Sequence, residues 1–400
     1  MTLKIEKCIL KGEVSAPPSK SDAHRALICG ALSDESYIKN LADSEDIKAT
    51  IDCLKTLGAA IEKQGNGIKI GGIDPFNIKE GTVLDCNESG STLRFLIPLC
   101  LLGGKKVVFK GSGRLMERPL SLYEKICNER GFAFQKDGNT LTLCGKLESG
   151  VFQVFGGVSS QFISGLMYAL PLLSGDSEIR IEGKLESKPY VDMTVDTLAR
   201  FGVEIKETDY GYFVKGGQNY ASQNITVEGD WSNAAFLDGF NLLGGSVTVT
   251  GLKDETLQGD KIYRKMYKDL KSGVREFDLS NCPDLAPVMF ALAGALGGAE
   301  FTGTARLKIK ESDRALVMKE ELKKFGIDVT VEENRVLVGG GTLKAPTEKL
   351  MGHNDHRIVM SLALLSTLTG GEIAGCEAVN KSFPDFFEKL LALGFVANET

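Results

Sequence analysis

The sequence lacks the cysteine and histidine clusters that build metal and disulfide sites. It has nine cysteines but no Cys-x-x-Cys pair, and only three histidines. Cysteines scattered in this way argue against both a disulfide framework and a structural zinc site. His353 and His356 have a spacing that suits a metal ion, but neither a third histidine nor a cysteine cluster accompanies them. We therefore expect no metal site.

Long apolar runs and an excess of basic residues are also lacking. No apolar run approaches the roughly 20 residues that span a bilayer, and residues 1–6 lack the long apolar stretch that is typical of a signal peptide. We expect a cytoplasmic protein without a membrane partner. The formal net charge of −6 disfavours nucleic-acid binding, which needs a basic surface. The absence of a Gly-x-x-x-x-Gly-Lys-Ser/Thr segment removes the main support for a P-loop kinase.

The sequence has the composition of a folded globular protein, with 42% hydrophobic and 25% charged residues. Its 400 residues suit two domains of about 200 residues each. We place one domain at residues 19–228 and the other at 1–18 plus 229–400. Hinge crossovers are expected near residues 16–20 and 228–231. The two prolines in the first crossover either stiffen a hinge or only form a surface turn.

A recurring pattern divides the chain into six units of similar size, one of them shortened. Each unit begins with a polar cluster, and the clusters lie near Ser19, Ser89, Ser159, Asp230, Asn281 and His353. Each unit later has a glycine that closes an apolar helix, and these are Gly58, Gly131, Gly202, Gly273, Gly326 and Gly394. The pattern predicts an α/β fold of β-α-β-α-β-β repeats, three per domain. Residues 4–10 are expected to form an opening strand of the second domain.

The polar clusters are candidates for anion binding. Any one of them is explained equally well as a helix N-cap. However, several combine serine or glycine with nearby basic residues, and helix N-termini favour anions. Basic segments around Arg118, Lys310 and Arg357 are either additional anion contacts or solvated charged faces.

Eight segments carry a resemblance to the 5-enolpyruvylshikimate-3-phosphate synthase family of enolpyruvyl transferases. They occur in the family's order and approximate spacing, between about residue 15 and residue 390. One such segment alone is weak evidence, whereas eight in order are specific. The segments are Ser19-Lys20-Ser21 with Arg25, Ser89-Gly90-Ser91 with Arg94, Glu117-Arg118-Pro119, Ser159-Ser160-Gln161-Phe162, Ser187-Lys188-Pro189-Tyr190, Lys310-Glu311-Ser312-Asp313-Arg314, Asn354-Asp355-His356-Arg357 and Lys381-Ser382-Phe383-Pro384-Asp385.

The resemblance implies the two-domain enolpyruvyl transferase fold, an inverse βα barrel with the active site in the interdomain cleft. It implies a monomer that needs no cofactor. The implied substrates are shikimate 3-phosphate and phosphoenolpyruvate. The 5-hydroxyl of the former adds to C2 of the latter, and phosphate then leaves a tetrahedral intermediate, on the shikimate pathway to chorismate and the aromatic amino acids.

The resemblance also implies roles for individual residues. The residues that resemble shikimate 3-phosphate contacts are Ser21, Arg25, Ser159, Ser160, Gln161, Ser187 and Lys310. Those that resemble the phosphoenolpyruvate site are Gly90, Arg118, Arg314, Arg357 and Lys381, with Lys20 and Gln161 between the two ligands. Asp284 resembles the group that accepts the hydroxyl proton. Glu311 resembles the group that exchanges a proton at the methylene carbon, and Lys20 competes for that role.

Three positions depart from the family pattern. Glu88 and Ser91 flank Gly90, and Glu88 places a carboxylate beside the expected anion site. Some relatives have an asparagine contact near the position of Arg306, and we do not carry that contact over to this chain. Glycine at position 90 suggests room for the herbicide glyphosate, although Glu88 and Ser91 leave the degree of sensitivity open.

Two other functions compete. The sister enzyme that uses UDP-N-acetylglucosamine has the same repeats, but it has a reactive cysteine on a loop where residues 114–119 contain none. A noncatalytic repeat protein would explain the repetition. It would not explain why Asp284 and Glu311 accompany so many basic residues.

Overall fold

Local signals at helix ends define the repeats. The protein is described by a computed structural model that covers residues 1–157 and 159–400. A polar side chain caps the first helix in five repeats, and these caps are Ser19, Ser89, Ser159, Asp230 and Asp355. In the remaining repeat Pro283 opens a 3-10 turn before the helix. The six predicted closing glycines all have positive φ, from 69° to 106°, a conformation that suits glycine at a helix C-terminus.

The strands are short and are numbered along the chain. They are β1 Thr2–Ile5, β2 Lys11–Ser15, β3 Ser36–Lys39, β4 Ala60–Gln64, β5 Gly67–Gly71, β6 Thr82–Asp85, β7 Val107–Lys110, β8 Ala133–Asp137, β9 Thr140–Cys144, β10 Val151–Phe155, β11 Ser177–Glu182, β12 Ile205–Thr208, β13 Gly211–Val214, β14 Asn224–Thr226, β15 Ser246–Thr250, β16 Glu276–Asp278, β17 Gly298–Thr302, β18 Val329–Val331, β19 Arg335–Gly339, β20 Leu350–Met351, β21 Gly371–Ala374 and β22 Ala397–Glu399.

The helices alternate with these strands. They are α1 Lys20–Leu32, α2 Glu45–Thr56, α3 Gly90–Cys100, α4 Ser121–Glu129, α5 Ser160–Ala169, α6 Lys188–Arg200, α7 Trp231–Leu242, α8 Tyr263–Ser272, α9 Ala286–Ala295, α10 Arg314–Lys324, α11 His356–Thr369 and α12 Phe386–Ala392. Among the described residues, none of them has both the length and the apolar character needed to cross a membrane.

Most repeats produce a four-stranded sheet of one pattern. In the second repeat β6 pairs in parallel with β7, and β7 pairs antiparallel with β9, which forms a hairpin with β8. The strand order is therefore first, second, fourth, third. The described residues form five sheets of this pattern and one sheet of two strands. This order agrees with the predicted β-α-β-α-β-β repeat, in which a helix follows each of the first two strands and the last two strands form a hairpin.

Three repeats depart from simple chain order. The first strand of the first repeat is β14, and the last strand of the sixth repeat is β1. The fourth repeat takes β2 as its first strand, next to β15, and passes from α8 directly to β16 without a closing hairpin. This missing hairpin explains why one unit is shortened. The prediction of a single opening strand over residues 4–10 was wrong, because β1 ends at Ile5, residues 6–10 form no strand and β2 begins only at Lys11.

Contacts divide the chain into two units. One unit is Pro18–Glu228, and the other combines Met1–Pro17 with Gly229–Thr400. Each unit has its own hydrophobic core, represented by Leu27 in the first and Trp231 in the second. Each unit therefore positions its own candidate residues on helices that pack against its own core.

Candidate active site

Helix α1 presents the first pair of basic residues in the 18–228 unit. Lys20 is its first residue, and the Lys20 ammonium lies 2.8 Å from Oδ2 of Asp46 on α2. Arg25 is 3% exposed. Its guanidinium donates to the Ser21 carbonyl at 2.6 Å, to the Tyr190 carbonyl at 2.7 Å and to Thr194 Oγ1 at 2.9 Å. Arg25 therefore joins the start of α1 to α6.

The starts of α3 and α5 meet around a second arginine. Arg94 donates from Nη1 to Gln161 Oε1 at 2.8 Å, and Gln161 donates from Nε2 to Ser91 Oγ at 2.9 Å. Gly90 is the first residue of α3, where a methyl group would lie 2.6 Å from Arg118 Nη1. The Arg118 guanidinium therefore occupies the space that a side chain at position 90 would need.

Three predicted serines lie at the starts of α5 and α6. Ser159 caps α5, and Ser160 is its first residue and is buried. Ser187 precedes α6 and is 3% exposed, with a left-handed backbone at φ 55°. The loops before these two helices are joined, because the Glu186 N–H donates to the Gly156 carbonyl at 3.1 Å. The sequence therefore brings the two helix starts into one region of the unit.

The second unit contains a buried network centred on Arg314. Arg314 is 1% exposed and donates to three carboxylates: Nη1 to Asp284 Oδ1 at 2.8 Å, Nη2 to Glu311 Oε2 at 2.7 Å and Nε to Asp355 Oδ2 at 2.9 Å. Arg357 lies 3.0 Å from the other oxygen of Asp284. We call these residues, with Lys310 and Lys381, the Arg314 cluster.

Two lysines complete the Arg314 cluster. The Lys310 ammonium lies 3.1 Å from Asp284 Oδ1, so Asp284 accepts hydrogen bonds from three basic side chains. Lys381 is 4% exposed and donates to the Asn354 carbonyl at 2.6 Å. Four cations therefore accompany three carboxylates in the cluster. The opposite charges offset part of the large cost of burying each ion, provided that their hydrogen-bond geometry is good.

Burial and charge shift two pKa values in this cluster. Burial lowers the pKa of the Lys310 ammonium, against the opposing effect of the Asp284 carboxylate. Burial alone would also lower the pKa of Arg314, but the carboxylates of Asp355, Glu311 and Asp284 more than offset it and raise that pKa. Arg314 is thus a permanent cation, whereas Lys310 loses its proton more readily than an ordinary lysine.

The residues that depart from the family pattern have identifiable surroundings. A methyl group at Gly113 would lie 2.6 Å from Oε2 of Glu88, so the Glu88 carboxylate packs against the loop after β7. Arg306 is 7% exposed, and its Nη2 donates to the Ser280 carbonyl at 2.6 Å. Its positive charge also contributes to the lowered pKa of Lys310. Arg306 therefore adds a cation beside Lys310.

Sequence reasoning missed three residues that these networks use. Arg94 and Asp355 stand inside segments that carried the resemblance, so their positions were visible although no role was assigned. Asp46, the partner of Lys20, had no such signal beyond an acidic residue in the first turn of a helix. His353 and His356 belong to no group of three or more metal-ligating side chains in the described ranges.

The fold has solved counterparts. EPSP synthase from Acinetobacter baumannii matches with a TM-score of 0.77 and 22% identity over 99% of both chains, and a second structure of that enzyme matches equally well over the full length of both. At this level of identity the matches establish the fold of the chain. The narrower assignment comes from the sequence.

Residues 6–390 match the family described as EPSP synthase (3-phosphoshikimate 1-carboxyvinyltransferase). A 3-phosphoshikimate 1-carboxyvinyltransferase from Clostridium kluyveri is 43% identical over 96% of this chain and 95% of its own. One from Clostridium novyi is 42% identical over 99% of this chain and 98% of its own. The chain belongs to the EPSP synthase family.

Proposed function

We propose that this chain transfers the enolpyruvyl group of phosphoenolpyruvate to the 5-hydroxyl of shikimate 3-phosphate, with release of phosphate. The family assignment supports the reaction. One geometric observation supports the chemistry. The two carboxylates assigned to proton transfer, Asp284 and Glu311, are held on adjacent nitrogens of a single guanidinium, that of Arg314.

The addition step needs a base and an acid. We assign Asp284 to accept the proton of the attacking hydroxyl as its oxygen bonds to C2 of phosphoenolpyruvate. Glu311 donates a proton to C3, and Lys20 is the competing donor. The product of this step is a tetrahedral intermediate that still carries phosphate. Two carboxyl groups with different surroundings can divide these tasks, so that one accepts a proton while the other donates one.

The elimination step reverses the proton movement at C3. Glu311 removes a proton from the new methyl group, the C2–C3 double bond re-forms and the bond from C2 to the phosphate oxygen breaks. The proton that Asp284 accepted in the addition step passes to the leaving phosphate, which restores both carboxyl groups to their starting states. The leaving phosphate and the carboxylate of the intermediate are anions, so fixed cations stabilise both. We assign Arg118, Arg314, Arg357 and Lys381 to this task, since arginine suits bidentate pairing with both groups.

We further propose that Ser21, Arg25, Ser159, Ser160, Gln161, Ser187 and Lys310 bind shikimate 3-phosphate and that Gly90 allows close approach of phosphoenolpyruvate. The tight fit between Gly90 and Arg118 supports the second assignment. The buried serines at the starts of α5 and α6 support the first, because helix starts donate N–H groups to anions. A cytoplasmic location, a monomeric state and activity without metal remain predictions.

Phosphate release tests the reaction. The purified protein is incubated in EDTA with phosphoenolpyruvate and either shikimate 3-phosphate or UDP-N-acetylglucosamine, and the product is identified by mass. We expect release only with shikimate 3-phosphate. Release only with the nucleotide sugar would assign the chain to the sister activity. Release with neither would remove the proposal.

Exchange of solvent deuterium into the methylene group tests the assignment of the acid. We expect Glu311→Gln to abolish exchange and Asp284→Asn to abolish turnover. Exposed residues of the same unit supply matched controls, Glu320→Gln and Asp328→Asn, which should behave as the wild type. Exchange that survives Glu311→Gln but is lost in Lys20→Met would transfer the acid role to Lys20.

A further inference from the structure

A buried carboxylate outside the assigned site has an unusually complete set of partners. Glu321, near the end of α10, is 1% exposed. Its Oε1 accepts from His353 Nε2 at 2.9 Å and from the Lys324 ammonium at 2.8 Å, and its Oε2 accepts from the Met351 N–H at 3.0 Å. The proposed chemistry gives Glu321 no role, so its interactions need another explanation.

Two of these partners lie on the segment that leads into α11. Met351 ends β20, and His353 and Asn354 follow with left-handed backbones, at φ 48° and 54°. Two successive residues other than glycine rarely adopt this conformation, because the side chain crowds the backbone. The surroundings must therefore hold the turn in place.

This turn presents groups to the Arg314 cluster. The Asn354 carbonyl accepts the hydrogen bond of the Lys381 ammonium, and Asp355 both caps α11 and accepts from Arg314 Nε. A change in the backbone at Asn354 would move the carbonyl that orients Lys381. It would also move the carboxylate that orients Arg314.

Helix α10 holds the turn at two points. Arg314 binds Asp355, and Glu321 binds His353 and Met351. These two helix residues are seven positions apart, which places them two turns apart on one face of the helix. The same face therefore fixes both ends of the short segment between β20 and α11.

We propose that Glu321 is a positioning residue for phosphoenolpyruvate binding, and that it acts by fixing the left-handed turn at His353 and Asn354. This inference rests on the proposed function, which assigns Lys381 and Arg314 to phosphoenolpyruvate. Glu321 touches no reacting group in this scheme. It orients the cations through the turn.

The charge of Glu321 is part of the arrangement. Burial alone would raise its pKa, but hydrogen bonds from His353, Lys324 and the Met351 N–H more than offset this and lower the pKa. Glu321 therefore stays ionised. A glutamine has the same shape, but its amide nitrogen donates where one of these donors needs an acceptor.

Calorimetric titration of phosphoenolpyruvate, in the presence of shikimate 3-phosphate, tests the proposal. We expect Glu321→Gln to weaken phosphoenolpyruvate binding by about tenfold or more, as for a lost charged hydrogen bond. Binding of shikimate 3-phosphate alone should change by less than about threefold, because most of its assigned contacts lie in the other unit. Glu320→Gln, a change at the exposed neighbouring position, should leave both affinities unaltered.

A second variant tests the turn without removing the buried carboxylate. His353→Asn keeps a residue that tolerates the left-handed conformation but loses the ring contact with Glu321. It should weaken phosphoenolpyruvate binding less than Glu321→Gln does, and the two effects should not add in the double variant. The nitrogen resonances of His353, one of three histidines, should shift in Glu321→Gln.

The possible failures are distinguishable. If the wild type binds phosphoenolpyruvate and transfers its enolpyruvyl group, but both variants bind it normally, only the role of Glu321 is refuted. Equal losses for both ligands, together with a lower melting temperature, would show a merely structural role and also refute the proposal. If the wild type binds no phosphoenolpyruvate at all, the proposed function itself fails and this role fails with it.

Discussion

Substitution of Gly90 by alanine tests the binding assignment most directly. The added methyl group would lie 2.6 Å from Arg118 Nη1 and 2.9 Å from Arg94 Nη1, whereas an ordinary contact needs at least 3.4 Å. Arg94 is held by its hydrogen bond to Gln161, so we expect the Arg118 guanidinium to take up most of the adjustment and to retreat by about 0.8 Å. That displacement is sufficient to break a hydrogen bond from Arg118 to a ligand.

The magnitude follows from the bond that is lost. A hydrogen bond to a charged group contributes about 1.5–3 kcal/mol, which corresponds to a rise of about 10- to 150-fold in the KM for phosphoenolpyruvate. The fold should be unaffected, because the far end of an arginine side chain moves easily and alanine is a better helix former than glycine. The methyl group should weaken inhibition by glyphosate as well.

Steady-state kinetics with each substrate varied in turn would measure the effect. The KM for shikimate 3-phosphate and the melting temperature should stay close to those of the wild type. Gly341→Ala is the control, since its methyl group meets only an ordinary contact at 3.6 Å. A KM for phosphoenolpyruvate within threefold of the wild-type value would refute the reasoning, as would equal increases for both substrates.

Two further predictions concern pH. The pKa of Lys310 is lowered, so its charge is lost at a lower pH than for an ordinary lysine. Lys310→Arg should keep the charge and extend kcat/KM to more alkaline pH; an unchanged alkaline limb would contradict this. Burial, followed by the charges of Lys20 and Arg25, lowers the pKa of His24 well below 6.5. Below pH 6.5 the unfolded state therefore binds a proton that the folded state does not, and stability falls as pH falls. His24→Asn should remove about 1.4 kcal/mol of this loss per pH unit in urea unfolding, and parallel profiles for the two proteins would refute the assignment.

Local signals account for the part of the fold that was predictable. Helix starts such as Ser89 and helix-closing glycines such as Gly202 act over a few residues, so the sequence alone locates them. The pairing of strands, in contrast, cannot be located from local signals. The pairing of β14 with β3 joins segments that are far apart in the chain, and no local pattern encodes such a choice. The missing hairpin of the fourth repeat was visible only as a shorter spacing.

The same distinction applies to the site. The basic residues stood in recognisable segments, but their carboxylate partners depend on tertiary packing. Nothing near Asp46 in the sequence indicates Lys20, and nothing near Glu321 indicates His353. Surface charge and buried charge look alike in a sequence. Only burial and distance separate them.

The placement of β1 and β2 in the second unit affects how the chain folds while it is being synthesised on the ribosome. Strand β1 is synthesised long before β21 at Gly371–Ala374, its partner. At about 5–20 residues per second, β1 must wait roughly 20 to 70 s for that partner to emerge. Throughout this interval the 18–228 unit can fold, because all of its strands are made by residue 226. The nascent chain thus carries a folded 18–228 unit together with strands β1 and β2, whose partner strands have not yet been synthesised. Incorrect strand pairing is therefore most expected during the second half of translation.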